Sequence, residues 1–426
     1  MKKKVTAILL GAGSRGRVYA RYALDHPEEF QIVGVAEPDR AKREAMKREH
    51  HIPEDSVYET WEPLLERPCF ADAALICTMD RMHTAPTVKA LERGYHVLLE
   101  KPMAVQEEEC RQIGAAAEKH GRLLSICHVL RFTPFYSEIK GLVDTGCLGS
   151  ILAAEQIEHV GYWHQAHSFV RGNWADGQTS SPMILQKSCH DMDILSWLIG
   201  GVCTKVSSFG SLTHFQPGNA PAGAPSRCLD GCPVSNTCPY YAPRFYLEHP
   251  NAVSDGFVSM VSPEPGAENL MKALRQGPYG RCVYHCGNNV VDHQVVNLEF
   301  DNSAVASFVM TAFTHDCNRT LTLMGTKGEL TGDMNRNEIR YHLFGEASET
   351  VLHPQLPDVS EGYHHGGGDY RLIENFAAMV REGNFHKNWT SAQQSLQSHL
   401  ICFAAEQSRL TGKTIDLSLD KEPSHD

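Results

Sequence analysis

Val5-Thr6-Ala7-Ile8-Leu9-Leu10 runs directly into Gly11-Ala12-Gly13-Ser14-Arg15-Gly16 and then into a helical segment that starts by Val18. A buried strand, a glycine turn and a helix start in that order leave few architectures open. Glycines let a backbone approach a pyrophosphate, and the helix start offers free N–H groups and the positive end of a dipole. A second apolar run, Gln31 to Ala36, ends at Glu37, 21 residues after Gly16. A carboxylate there can bind adenosine ribose hydroxyls, which favours NAD over NADP. Arg40 can hold a 2′-phosphate and keeps NADP as the second choice.

The same alternation continues. Ala73 to Thr78 reads as a buried strand, followed by Met79-Asp80-Arg81-Met82-His83 and a helix, Thr84 to Arg93, closed by Gly94. Tyr95-His96-Val97-Leu98-Leu99 is the next strand and stops at Glu100-Lys101-Pro102, and Leu123 to His128 is another. Strand and helix in turn, joined by right-handed crossovers, predict a doubly wound parallel sheet of Rossmann type over residues 1–126. Its carboxyl edge is where such folds place their chemistry, which puts Glu100 and Lys101 there.

With 426 residues, 42% of them hydrophobic, the chain has enough core material for two domains. A formal charge of −12 argues against a nucleic-acid partner or an anionic membrane surface. The opening Met1-Lys2-Lys3-Lys4 and the run after it read as a first strand rather than a secretory signal. The expectation is a cytoplasmic protein whose 14 cysteines are reduced thiols or metal ligands.

Gly11 to Gly16, Thr78 to His83 and His96 to Pro102 together resemble the glucose-fructose oxidoreductase and inositol dehydrogenase family (Gfo/Idh/MocA). The resemblance implies a nucleotide site built from Gly11, Gly13, Ser14, Arg15, Gly16, Glu37, Arg40, Thr78, His83, Glu100 and Lys101, with Lys101 at the reacting hydroxyl and nicotinamide. It also implies a second domain, 127–426, of α+β type, whose open, mainly antiparallel sheet roofs the site and forms homodimers or homotetramers. Arg131-Phe132-Thr133-Pro134 resembles the family's exit from the nucleotide domain, and His365-Gly366-Gly367-Gly368-Asp369 a segment near its substrate, so Arg131 and His365 are candidate contacts.

Three further stretches carry chemistry. Tyr162, Trp163, His167, Arg171 and Trp174 lie in one loop, where aromatic faces and hydrogen-bond donors suit a sugar. His190 falls in the first turn of a helix running from Ser188 to Gly200, where the dipole keeps an imidazole neutral and able to take a hydroxyl proton. The family has an aspartate four residues before this histidine; here that position is Gln186. Lys187 beside it is a candidate second cation near Lys101.

Between residues 215 and 288 periodicity is lost and cysteines gather: Cys228, Cys232, Cys238, Cys282 and Cys286. Their spacing suggests a structural zinc held by four of the five, pinning an insert without a core of its own. An iron-sulfur cluster, disulfides and inert thiols are the alternatives. The functional expectation is an NAD-dependent oxidoreductase of sugars, glycosides or cyclitols, with His190 and Lys101 or Lys187 at the hydroxyl. An NAD-recycling glycosidase or lyase and a nucleotide-binding sensor are the rivals.

Overall fold

The computed structural model describes residues 3–254, 256–359 and 362–418. Six strands form a parallel sheet in the order β3-β2-β1-β4-β5-β6. They are β1 Val5–Leu10, β2 Phe30–Ala36, β3 Val57–Tyr58, β4 Ala73–Ile76, β5 His96–Leu99 and β6 Leu124–Ile126. β1 and β4 are buried almost throughout, because helices cover both faces, as parallel sheets require. This is the predicted Rossmann sheet, and the strand order reverses between β1 and β4, above the glycine turn.

The second sheet has nine strands in the order β14-β13-β12-β11-β7-β10-β9-β8-β15. They are β7 Ile151–His159, β8 Cys203–Ser211, β9 His293–Phe300, β10 Val305–Thr311, β11 Asn318–Gly325, β12 Gly328–Asp333, β13 Glu338–Leu343, β14 Thr350–Leu352 and β15 Ile415–Asp416. It is antiparallel apart from β7 against β10, which run parallel. Alternation places Ala154, Gln156 and Glu158 of β7 inward, toward the buried helix Cys189–Ile199, and Glu155 outward; a register shift opposite Met324 and Gly325 changes the phase at the start of the strand, where Ile151 is buried and Leu152 exposed.

The carboxyl-terminal part returns to the first sheet. The helix Gly368–Glu382 contributes Leu372, Ile373, Phe376, Ala377 and Met379 to the core that holds Leu9, Tyr19, Tyr22 and Phe30. The nucleotide half therefore owes part of its core to residues more than 200 positions beyond its last strand.

The segment between β8 and β9 is a folded insert. Helices Ala242–Glu248 and Ala267–Gln276 pack Phe245, Tyr246, Leu270 and Leu274 around Trp163. Phe215, Tyr240, Val283 and Tyr284 close on Ala166 and Val170. It has apolar cores of its own, so the premise that metal must hold it is removed. Among the described residues no three His, Cys, Asp or Glu side chains form a metal-ligand set, so the structure gives the zinc expectation no support. Cys228, Cys232, Cys238, Cys282 and Cys286 are free thiols. Burial pushes Cys238, Cys282 and Cys286 up toward the neutral form, and the Cys286 Sγ donates to the Cys282 carbonyl at 3.2 Å.

Candidate active site at the sheet edge

Gly11 adopts φ +91° and packs so closely that a Cβ would lie 2.3 Å from the Cys77 carbonyl oxygen. A Cβ on Gly16 would lie 2.1 Å from the carbonyl of Gly11. A Cβ on Gly13 would meet nothing within 4 Å. Ser14 is exposed at the start of helix α1, Ser14–Asp25, whose first turn has neither an acidic residue nor a side-chain cap. Two glycines close the turn and the third faces space beside uncapped N–H groups, a cradle that fits a dinucleotide pyrophosphate.

Glu37 is buried and accepts from the N–H groups of Ala12, at 2.6 Å, and Asp39, at 2.9 Å. Arg40 is exposed at the start of the helix Arg40–Glu49. The cation next to Glu37 is instead Arg43, which donates to the Glu37 and Pro38 carbonyls. A one-turn offset along a helix decides which arginine meets the loop, and a motif count does not resolve it.

Thr78 donates to the Met82 carbonyl at 3.3 Å. His83 is buried, its Nδ1 2.7 Å from the Pro102 carbonyl and its Nε2 3.1 Å from that of Thr78. It therefore fastens the loop after β4 to the Glu100-Lys101-Pro102 stretch rather than presenting a free nitrogen. Arg15 is spent in the same way. Its Nε lies 2.7 Å from Glu100 and its Nη2 2.6 Å from Asp369, while Tyr19 donates to Glu100 at 2.9 Å. Burial alone would push both carboxyls up; Arg15 outweighs it, helped by Lys101 at Glu100 and by His365 at Asp369, and holds both below their ordinary values.

Lys101 is half-buried and donates from Nζ to the Gln186 carbonyl at 2.6 Å. The Gln186 side chain turns to the Trp174 carbonyl, at 3.3 Å. His190 is buried in the first turn of its helix, with His365 6.3 Å away by ring centroids. Burial first, then Lys101, His128, Arg319 and His365, keep its pKa well below the ordinary value. A neutral imidazole and an ammonium thus meet at the carboxyl edge, one able to accept a proton and the other to stabilise an alkoxide. The His365 Nδ1 lies 3.2 Å from Asp369, which sets the glycine-rich segment beside Arg15 and His190.

Other candidates have structural work. Lys187 sits 3.3 Å from Glu158, so its charge is already answered. Glu158 and Asp191 also share Arg319, whose Nε lies 2.8 Å from Asp191. Arg131 forms a bidentate pair with Asp193, both contacts at 2.7 Å, and donates to the Trp389 carbonyl. Such a pair leaves no fork for a ligand.

The aromatic loop is the footing of the insert rather than an open sugar wall. His167 stacks on Phe257 with centroids 3.9 Å apart, Trp163 is buried and donates to the His315 carbonyl, and Tyr162 packs near Tyr240. Arg171 is buried and donates to the Tyr240 carbonyl at 2.6 Å and the Arg281 carbonyl at 2.8 Å. Trp174 alone of this set adjoins Gln186. Aromatic density marks a core as readily as a binding face, and only burial separates the two. Asp369, Tyr19, Glu158 and Arg319 were not legible as site residues, since each acquires its role from a partner distant in sequence.

Comparison with known proteins agrees with this geometry. Residues 5–128 match an oxidoreductase family described as an NAD-binding Rossmann fold, and residues 140–417 match that family's C-terminal alpha/beta domain. YteT of Bacillus subtilis, named as an oxidoreductase, is 24% identical over 365 residues, 81% of this chain and 82% of that protein. The scyllo-inositol 2-dehydrogenase (NAD(+)) of Bacillus subtilis is 26% identical over 220 residues, 50% of this chain and 59% of that one. A levoglucosan dehydrogenase solved with NADH and levoglucosan superposes with a TM-score of 0.71 at 16% identity, covering 97% of this chain and 100% of that one. No helix among the described residues is long and apolar enough to cross a membrane. Matched in both of its halves, this chain belongs to the Gfo/Idh/MocA oxidoreductase family.

Proposed function

We propose that this protein moves a hydride between a hydroxyl-bearing carbon of a sugar, glycoside or cyclitol and the nicotinamide of NAD. The observation that carries the reading is the meeting of Lys101, held by the Gln186 carbonyl, with a buried, neutral His190 at the edge that the glycine cradle also faces. Gly11, Gly13, Gly16 and the start of α1 would hold the pyrophosphate, and Glu37 the adenosine ribose. Bound NAD supplies the hydride acceptor. His190 takes the hydroxyl proton, Lys101 stabilises the oxygen as its charge develops, and His365, 6.3 Å from His190 by ring centroids, orients the substrate. The family description supports the cofactor and the inositol dehydrogenase relative the substrate class. Leu152, Phe209, Val305 and Met324, exposed on the second sheet, support assembly of copies through that face, which sedimentation would test.

The test is a panel of sugars, glycosides and cyclitols offered with NAD and followed for both NADH and aglycone. Stoichiometric NADH is expected. Aglycone released without NADH build-up would mean transient oxidation with recycled cofactor, and neither signal would sink the reading. Lys101→Met should lower kcat by roughly 10²-fold or more with little change in NAD affinity; an unchanged rate would remove Lys101 from the mechanism.

A further inference from the structure

His128 follows β6 by two residues and is wholly buried. Neither of its ring nitrogens has a hydrogen-bond partner. Burying an imidazole in this way forfeits the hydration of both nitrogens and returns nothing, so a position that keeps one calls for a reason. Its surroundings supply one. The ring stands edge-on to His190, with centroids 5.8 Å apart, and its Nε2 lies 3.8 Å from the Asp193 carboxylate. His190 is the complement, because its Nδ1 is also buried without a partner. His399, 5.7 Å from His128 on the other side, is already satisfied. Its Nδ1 donates to the Ser395 carbonyl at 2.7 Å and its Nε2 accepts from the Met103 N–H at 2.8 Å.

An imidazole that takes a proton at one nitrogen works best when its other nitrogen faces a group that orients the ring and steadies the charge it acquires. We propose that His128 is the positioning residue for His190: its edge-on ring fixes the His190 imidazole and steadies the charge it acquires as its Nε2 takes the proton from the substrate hydroxyl, with the Asp193 carboxylate behind it. This rests on His190 being the base of the proposed reaction. The substrate O–H bond breaks and its proton bonds to Nε2 of His190, while the Nδ1–H bond stays intact beside His128. The two rings together gain one proton and no electrons, since the electron pair of the breaking C–H bond leaves with the hydride.

The groups that set this balance are all within the fold. His190 faces Lys101, His128, Arg319 and His365. His128 faces Asp193, Arg131, Lys101 and Glu100 as well as the two histidines. Burial, with Arg131 and Lys101 against Asp193, takes His128 down to about 4. Both rings are therefore neutral at neutral pH, and His190 is ready to accept.

The test has two arms, each with His128→Asn and the longer amide His128→Gln, and NAD affinity serves as the check that the fold is intact. In the first, ¹⁵N-histidine-labelled protein without nucleotide is titrated by NMR. The wild type should take up one proton that moves the nitrogen shifts of both rings together. In the variants His190 should titrate alone and at higher pH, because a neighbour that lowers it is gone. In the second, turnover of the best substrate in the panel should fall roughly 10- to 100-fold, with the acid limb of kcat/KM moved upward in pH. A merely structural His128 would change unfolding temperature and move neither profile, and two unmoved profiles in folded variants would overturn the proposal. If no sugar reduces NAD in the wild type, the reaction itself is wrong and the proposal falls with it. Wild-type turnover with unmoved variants refutes the role of His128 alone.

Discussion

Two half-buried arginines flank the site, each set between two carboxylates, and they behave differently. Arg15 joins Glu100 at the end of β5 to Asp369 at the start of the helix Gly368–Glu382, and both acids are held below their ordinary values. Arg319 on β11 joins Glu158 on β7 to Asp191, and there the acids part. Arg319 and Lys187 outweigh burial at Glu158 and lower it, whereas burial and the charge of Glu158 push Asp191 up. One arginine can keep two carboxylates ionised where each has further donors, as Tyr19 and the Lys101 N–H provide at Glu100 and the His364 N–H at Asp369. On the sheet side Glu158 has Ser188 and Lys187 and Asp191 has the Gln156 amide, but burial and the charge of Glu158 beside it outweigh these at Asp191 and favour its protonated form. The first cluster is a fixed clamp across the ends of the chain; the second is a charge store that pH can alter.

This contrast can be broken by mutation. Arg15→Met removes the only guanidinium of the clamp and leaves two buried acids, which should cost about 3–5 kcal/mol in denaturant unfolding. Arg319→Met should cost less, about 1–3 kcal/mol, because Lys187 stays beside Glu158 and Asp191 can remain protonated. Equal losses would show the two clusters to be alike.

The pH dependence is a smaller effect with a definite sign. Asp191, raised on folding above its ordinary 3.8, contributes stability that is complete below that value and is lost as pH rises through its folded value. Glu158, lowered on folding, contributes above its ordinary 4.5 and loses that contribution in acid. Asp191→Asn should therefore gain on the wild type by on the order of 1 kcal/mol between about pH 5 and about pH 8. A constant difference across that range would show Asp191 to be ionised throughout. Lys187→Gln should have the smallest effect, about 0.5–1.5 kcal/mol, since Glu158 keeps Arg319 and the Ser188 hydroxyl.

The nucleotide half was legible because its rules are local. A glycine turn after an apolar run constrains a dozen neighbouring residues, and Gly11, Gly16, Glu37 and Lys101 stand where spacing placed them. The insert misled for the opposite reason. Clustered cysteines and aromatics are compatible with a metal knuckle, a sugar wall or an ordinary core, and only packing chose the core. His167 against Phe257 and Arg171 against the Tyr240 carbonyl could not be foreseen, because each pairing joins segments about 70 to 90 residues apart.

The amino-acid sequence by itself determined the parallel sheet, the glycine cradle at its switch point and the positions of Lys101 and His190. These follow from periodicity, turn chemistry and spacing along one stretch of chain. The tertiary structure alone decided which charges answer one another: Arg15 with Asp369, Arg131 with Asp193, Lys187 with Glu158, and His128 against His190. A buried charge takes whatever partner the fold brings within a few ångströms, and that distance is set by the packing of whole elements rather than by any local pattern.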